Sequence, residues 1–197
     1  MMKEGIPDRK QKILQVARES FAIFGYKGTT IDQIARMANV GKGTIYTFFQ
    51  SKDQLFHSIV ADLVFQVKEV AIRSLDPDRP FFDNLHNALW ATMQFRKDQE
   101  LLLQLSREVR EFGTENAKAA LKQVEDAIVG FIQRQLVVGM ETSQVRRCDA
   151  RLTAFLLFKS YVALLMEWNH EQSPLTDARI VESLNDLFTH GLEVHPS

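Results

Sequence analysis

Lys42, Gly43, Thr44, Tyr46 and Thr47 fall within six residues of one another. None of them has a base or a second carboxylate beside it that would make it a nucleophile or an acid. What they offer is non-covalent. Lysine supplies a point charge, and threonine and tyrosine hydroxyls bond phosphate oxygens and base edges without much bulk. Glycine lets a backbone come close to whatever lies outside. That set suits recognition of a nucleic acid. The rest of the chain holds nothing that competes with it. His57, His86, His170, His190 and His195 form no HxxxH or HExxH spacing, so no metal site is expected. Cys148 stands alone, as an ordinary thiol. His170 suits the dipole at a helix end. There is no glycine-rich phosphate loop and no nucleophile elbow. The expectation is a protein that is not an enzyme and that needs no cofactor.

The elements that carry these groups are helical. Apolar residues recur at i, i+3, i+4 almost throughout, and nothing alternates with period two. Ile13, Val16, Ala17, Phe21 and Phe24 form the first stripe, closed by Gly25. Thr30 with Gln33 makes a capping box for a second helix, with Ile34, Ala35 and Ala38 on its inner face. Asn39, Val40 and Gly41 turn the chain into a short third helix from about Lys42 to Phe48. The small Ala35 and Ala38 let the third helix cross closely, with Val40 and Ile45 turned inward. Lys42, Gly43, Thr44, Tyr46 and Thr47 are then left on an exposed surface, with the helix N-terminus turned towards phosphates. Phe48 and Phe49 read as anchors. Ser51 with Gln54 caps a long fourth helix, which the Asp76–Pro80 segment ends. Five further helices are expected at about 80–96, 98–111, 115–139, 149–170 and 176–193. The fold class is therefore all-α, with about nine helices.

Charge divides the chain in the same place. Residues 1–55 hold nine Lys/Arg against five Asp/Glu, and the remainder 15 against 20. A basic head on an acidic body suits a phosphate contact confined to one end. A single cysteine favours a reducing compartment. No apolar run approaches the roughly 18–20 residues that span a bilayer, and the N-terminus lacks the apolar stretch of a signal peptide. The expectation is a soluble cytoplasmic protein with no membrane contact.

From Ile13-Leu14 through Phe24-Gly25-Tyr26, Gly28-Thr29-Thr30, Ile34-Ala35, Ala38-Asn39-Val40, Lys42-Gly43-Thr44-Ile45-Tyr46, Phe48-Phe49 and Ser51-Lys52 to Leu55-Phe56, the chain resembles the TetR/AcrR repressors. The match runs in register over about 45 residues. It implies a helix-turn-helix DNA-binding domain over residues 1–52 and a helical ligand-binding and dimerisation domain over 53–197. The family's DNA contacts map by position onto Thr29, Thr30, Lys42, Gly43, Thr44, Tyr46, Thr47 and Lys52. Gly41 departs from the usual serine and offers no side-chain oxygen. Thr47 stands where a larger His or Tyr is frequent.

The resemblance further implies an inducer cavity among the middle helices and a homodimer built from the last two. The helix at 149–170 is apolar round much of its circumference, so it must bury more than one side. Phe155, Leu184 and Phe188 are candidates for a twofold interface. Trp90, Met93, Leu105, Phe112, Phe131, Phe158, Tyr161 and Trp168 are candidates for the cavity lining, which would suit an apolar or amphipathic ligand. The expected function is a homodimeric transcriptional repressor. It would bind double-stranded operator DNA at a palindrome and be released by a small-molecule inducer. The alternative is a protein-interaction or small-molecule binding module that has kept an inactive reader.

Overall fold

The computed structural model describes residues 6–97, 99–164, 168 and 175–192. Among them lie nine α-helices and no strands. These are α1 (Ile6–Gly28), α2 (Ile31–Ala38), α3 (Lys42–Phe48), α4 (Lys52–Arg73), α5 (Phe81–Lys97), α6 (Glu100–Phe112), α7 (Glu115–Glu141), α8 (Ala150–Ala163) and α9 (Asp177–Leu192). No helix among the described residues is long and apolar enough to cross a membrane. The eighth helix was expected to reach residue 170. Its α-helical part ends at Ala163, and residues 165–167, 169 and 170 lie outside the described set.

The N-caps at Thr30 and Ser51 form as expected, while the first helix, expected to close at Gly25, kinks there and runs on to Gly28. The Thr30 hydroxyl accepts the Gln33 amide at 3.2 Å, and the Ser51 hydroxyl accepts the Gln54 amide at 3.1 Å. Asn39 takes the left-handed conformation (φ 54°, ψ 47°) that asparagine tolerates better than most residues. Its amide donates to Arg36, and the Val40 amide donates to Ala35, which ends α2 in a Schellman turn. Asp149 caps α8 by accepting two amides at 3.0 Å.

The chain divides into two compact units, one of residues 1–64 with 98–124, the other of residues 65–97 with 125–197. This division does not follow residue 52, because α6 packs along α1. In the first unit α1 also packs on α2 and α3. Ile13, Ala17, Phe21, Ile34, Ala38, Ile45, Leu55, Phe56, Leu101 and Leu105 are fully or almost fully buried there. Phe21 meets Phe56 edge-on at 5.0 Å between ring centroids, and Tyr26 meets Phe56 at 4.8 Å. Such pairs add about 0.5–1.5 kcal/mol each beyond simple burial.

The second unit has a core of Ala71, Phe81, Leu85, Ala88, Phe131, Ile132, Leu136, Val145, Ala154 and Leu157. A smaller cluster joins Tyr161 to Ile180 and Leu184 where α9 packs on α5 and α8. Gly139 on α7 sits hard against this core. A Cβ there would lie 2.7 Å from Val145 Cγ2 and 2.9 Å from Phe81 Cδ2, and both neighbours are buried. Gly139→Ala should therefore cost about 1–3 kcal/mol through overpacking, despite alanine's better helix propensity. Urea denaturation checks this; an unchanged or raised midpoint would show that Phe81 and Val145 can give way.

Candidate nucleic-acid interface

The surface of α3 is held from behind. Ile45 is fully buried and Phe49 nearly so, while Phe48 is half-buried. Both phenylalanines thus act as scaffold, as their spacing suggested. Val40 is only half-buried. Lys42, Gly43, Tyr46 and Thr47 are exposed together on the outer side, with Thr44 partly covered. Gly41 precedes the helix with no side-chain cap. The Thr47 hydroxyl donates to the Thr44 carbonyl at 2.6 Å and keeps its lone pairs for an outside donor. A Cβ built on Gly43 meets nothing within 4 Å. Nothing among the described residues requires glycine there.

Lys42 has a partner that sequence reasoning missed. Its ammonium bonds the Asp32 carboxylate at 2.9 Å, joining α3 to the first turn of α2. Both side chains are about half exposed or more, so the pair adds little to stability. The hydrogen bond first, then the charge of Asp32, moves Lys42 above the usual lysine range. The cation therefore persists throughout neutral pH. The only sequence signal was Asp32 in the first turn of its helix, a common place for a carboxylate.

Two of the sequence-derived contacts have to be revised. Thr29 is fully buried, with its hydroxyl 2.7 Å from the Gly25 carbonyl and 3.1 Å from the Ser20 carbonyl. It closes the end of α1 and presents no surface. Lys52 is half-buried, and its ammonium donates to the Tyr26 carbonyl at 2.9 Å and the Thr29 carbonyl at 3.1 Å. It also lies 4.1 Å from the centre of the Tyr26 ring. Its first task is to hold the α1–α2 connection. The Tyr26 hydroxyl in turn donates to Asp53. Partial burial, followed by that carboxylate, keeps this phenol protonated well above its ordinary range. Thr30 remains exposed, with a hydroxyl proton still to offer.

The arrangement can now be set beside known proteins. The family model for bacterial regulatory proteins of the tetR family matches residues 13–59. The HTH-type transcriptional regulator YhgD of Bacillus subtilis is 39% identical over 95% of this chain and 98% of its own length. The chain belongs to the TetR family. It is a DNA-binding transcriptional regulator. Solved structures share the fold at low identity. A transcriptional regulator from Pseudomonas aeruginosa PAO1 has a TM-score of 0.75 at 16% identity, covering 96% of this chain and 92% of its own. The fatty acid degradation regulator FadR from Bacillus halodurans has a TM-score of 0.71 at 18% identity, covering 94% and 96%.

In the second unit of this TetR-family chain, Val67, Lys68, Ala71, Leu85, Ala88, Leu89, Thr92, Ala127, Ile128, Phe131, Ile132, Phe158 and Tyr161 line a cavity of about 50 Å³. Three of the eight residues expected to line a pocket are brought together there: Phe131, Phe158 and Tyr161. The others are not. Leu105 belongs to the core of the first unit. Phe112 is exposed, with the Lys27 ammonium 5.0 Å from its ring centre. Trp90 and Trp168 are exposed. The side chain of Met93 lies outside the described set. Lys68 was missed, and its place in the polar stretch of α4 gave no signal.

Of the expected interface residues, Phe155 is exposed and Phe188 is half-buried against both core clusters. Leu184 is corrected: it is buried beside Tyr161 and Ile180 within its own chain. The outward apolar residues are Leu152, Phe155 and Leu156 on α8 and Leu187 on α9, the last 63% exposed.

Lys52 and Lys42 should separate cleanly in a stability measurement. Lys52→Met removes two hydrogen bonds and a cation–π contact, and should cost about 1–2 kcal/mol. Lys42→Ala should stay within about 0.5 kcal/mol of the parent. Equal denaturation midpoints for the two variants would remove the structural role assigned to Lys52.

Proposed function

We propose that the chain is a homodimeric repressor that grips a palindromic operator through α3 and is released by a small anionic amphiphile. Residues 1–52 would form the reader, and residues 53–197 would bind the ligand and pair the two copies, acting in the cytoplasm. One observation carries the DNA reading. The outer face of α3 keeps Lys42, Tyr46, Thr47 and a glycine that its own fold does not need, while Ile45 and Phe49 hold the helix from behind. Thr30 flanks this face, and Thr44 lies at its edge.

Two copies would be needed to place readers in successive major grooves, roughly 34–36 Å apart. Leu152, Phe155, Leu156 and Leu187 supply apolar surface for the pairing.

The lining of the cavity in the second unit supports the choice of ligand. It contains one cation, Lys68, and no carboxylate. That composition suits a hydrocarbon with an anionic head and disfavours a cationic drug. Typical ligand pockets hold about 300–1,000 Å³, so a ligand must widen this one. Widening would displace Val67, Lys68 and Ala71 on α4, the helix whose first turns place Leu55 and Phe56 in the core beneath the reader. A ligand that fits only the widened state shifts the population towards it.

Lys42→Ala and Tyr46→Ala should abolish operator binding in a gel shift at fixed salt, with the dimer intact by sedimentation. The slope of log affinity against log salt should fall by about 0.9 for each lysine lost. Gly43→Ala should raise stability by about 0.5–1 kcal/mol through helix propensity and yet weaken operator binding. Undiminished affinity in all three variants would sink the reader assignment.

The ligand class is checked by calorimetry with decanoate and decanol. Lys68→Met should weaken decanoate about tenfold or more and leave decanol unchanged. Equal losses for both would remove Lys68 from head-group recognition.

A further inference from the structure

Glu108 lies on α6, outside the segment matched by the family model, and only 3% of it is exposed. It follows Leu101 and Leu105 on the buried face of its helix. Its carboxylate accepts the backbone amide of Tyr26 at 2.6 Å and that of Lys27 at 3.1 Å. Among the described residues no cation forms an ion pair with it. A buried carboxylate without a cation is costly, and two amide donors offset that cost only while their geometry holds.

The backbone is shaped to receive it. Gly25 sits at φ 72°, a region that favours glycine, and turns the chain at the end of α1. A Cβ on Gly25 would run into Glu108 Oε2. Glycine at 25 is favoured by its conformation, and the space its missing Cβ leaves is taken by the carboxylate. The same stretch is gripped from the opposite polarity by Lys52, which takes the Tyr26 and Thr29 carbonyls. Tyr26 thus gives its amide to an anion and its carbonyl to a cation. The next residues are Thr29, buried, and Thr30, which caps α2. Gln99, at the start of α6, makes a second tie by accepting from Arg18 at 2.5 Å.

We infer that Glu108 is a positioning residue for operator recognition: it sets the path from α1 into α2, and so the angle at which α2 and α3 meet DNA. This rests on the reading of α3 as the DNA-contacting helix. Contacts that depend on register need that angle; loose contacts between lysines and phosphates do not. Loss of Glu108 should therefore lower the preference for the operator over unrelated duplex, beyond any effect on folding.

The test uses the full-length dimer and two duplexes: one selected by the parent protein from a random library, and an unrelated duplex of equal length and base composition. Glu108→Gln keeps the volume but replaces one acceptor with a carboxamide NH2, a donor set against a backbone N–H. Its affinity for the selected duplex should fall about tenfold, and its affinity for the unrelated duplex should change less than twofold. Amide exchange should quicken at Tyr26 and Lys27 and stay unchanged in α2. Glu108→Asp, one methylene shorter, should show a smaller loss of the same kind, and serves if the glutamine variant does not fold. A ratio of the two affinities equal to that of the parent, with faster exchange at Tyr26 and Lys27, would overturn the positioning role and leave DNA reading intact. A parent protein that selects no duplex would overturn both.

Discussion

The first unit depends on satisfying one short piece of backbone. Gly25 kinks α1 three residues before its end, and backbone groups on either side of the kink bond side chains. Buried peptide groups cost about 1–3 kcal/mol each when unpaired. The chain meets this demand with side chains from three places. Glu108 takes two amides, Lys52 takes two carbonyls, and the Thr29 hydroxyl reaches the carbonyls of Gly25 and Ser20. The aromatic group of Phe21, Tyr26 and Phe56 packs around this connection. The place of α2, and through it α3, follows from how that segment is held.

The polar face of α3 stays exposed, with Lys42 paired only across the surface. Lys52 and Thr29 are committed inward, which leaves Thr30, Lys42, Gly43, Tyr46 and Thr47 exposed, with Thr44 at their edge, as the surface proposed for DNA. Lys42 is held by Asp32 only across an exposed pair. A phosphate can replace that carboxylate at little cost, because both ions stay in water. The second unit follows a different rule. The cavity lined by Phe131, Phe158 and Tyr161 is small and almost wholly apolar, with a lysine at its wall, and elsewhere in the unit Gly139 has no room for a methyl group.

The helical class, the order of the nine helices and their caps were legible from residues alone, because each depends on neighbours three or four positions away. Thr30–Gln33 and Ser51–Gln54 are local hydrogen bonds, and Ile34, Ala35 and Ala38 are a local stripe. The outward face of α3 was legible for the same reason: Gly43 and Thr47 lie opposite Ile45, and Tyr46 lies about a quarter-turn from it. Glu108 left a weak trace, a carboxylate on the stripe of Leu101 and Leu105, which points to burial but not to a partner 81 or 82 residues away.

What tertiary structure alone decided is which polar and apolar side chains are already spoken for. Thr29 and Lys52 share residue types and neighbourhood with the exposed Thr30 and Lys42, and only the folded path of α1 into α2 turns them inward. Leu105 and Phe112 look like their fellow body aromatics and aliphatics in sequence, yet one is core of the first unit and the other lies on its surface. Leu184 and Leu187 stand three apart on one helix, and the packing of α9 on α5 and α8 buries the first and exposes the second. Helical periodicity gives a residue its face. Which face meets a neighbour depends on elements far away in sequence, and no local pattern contains that information.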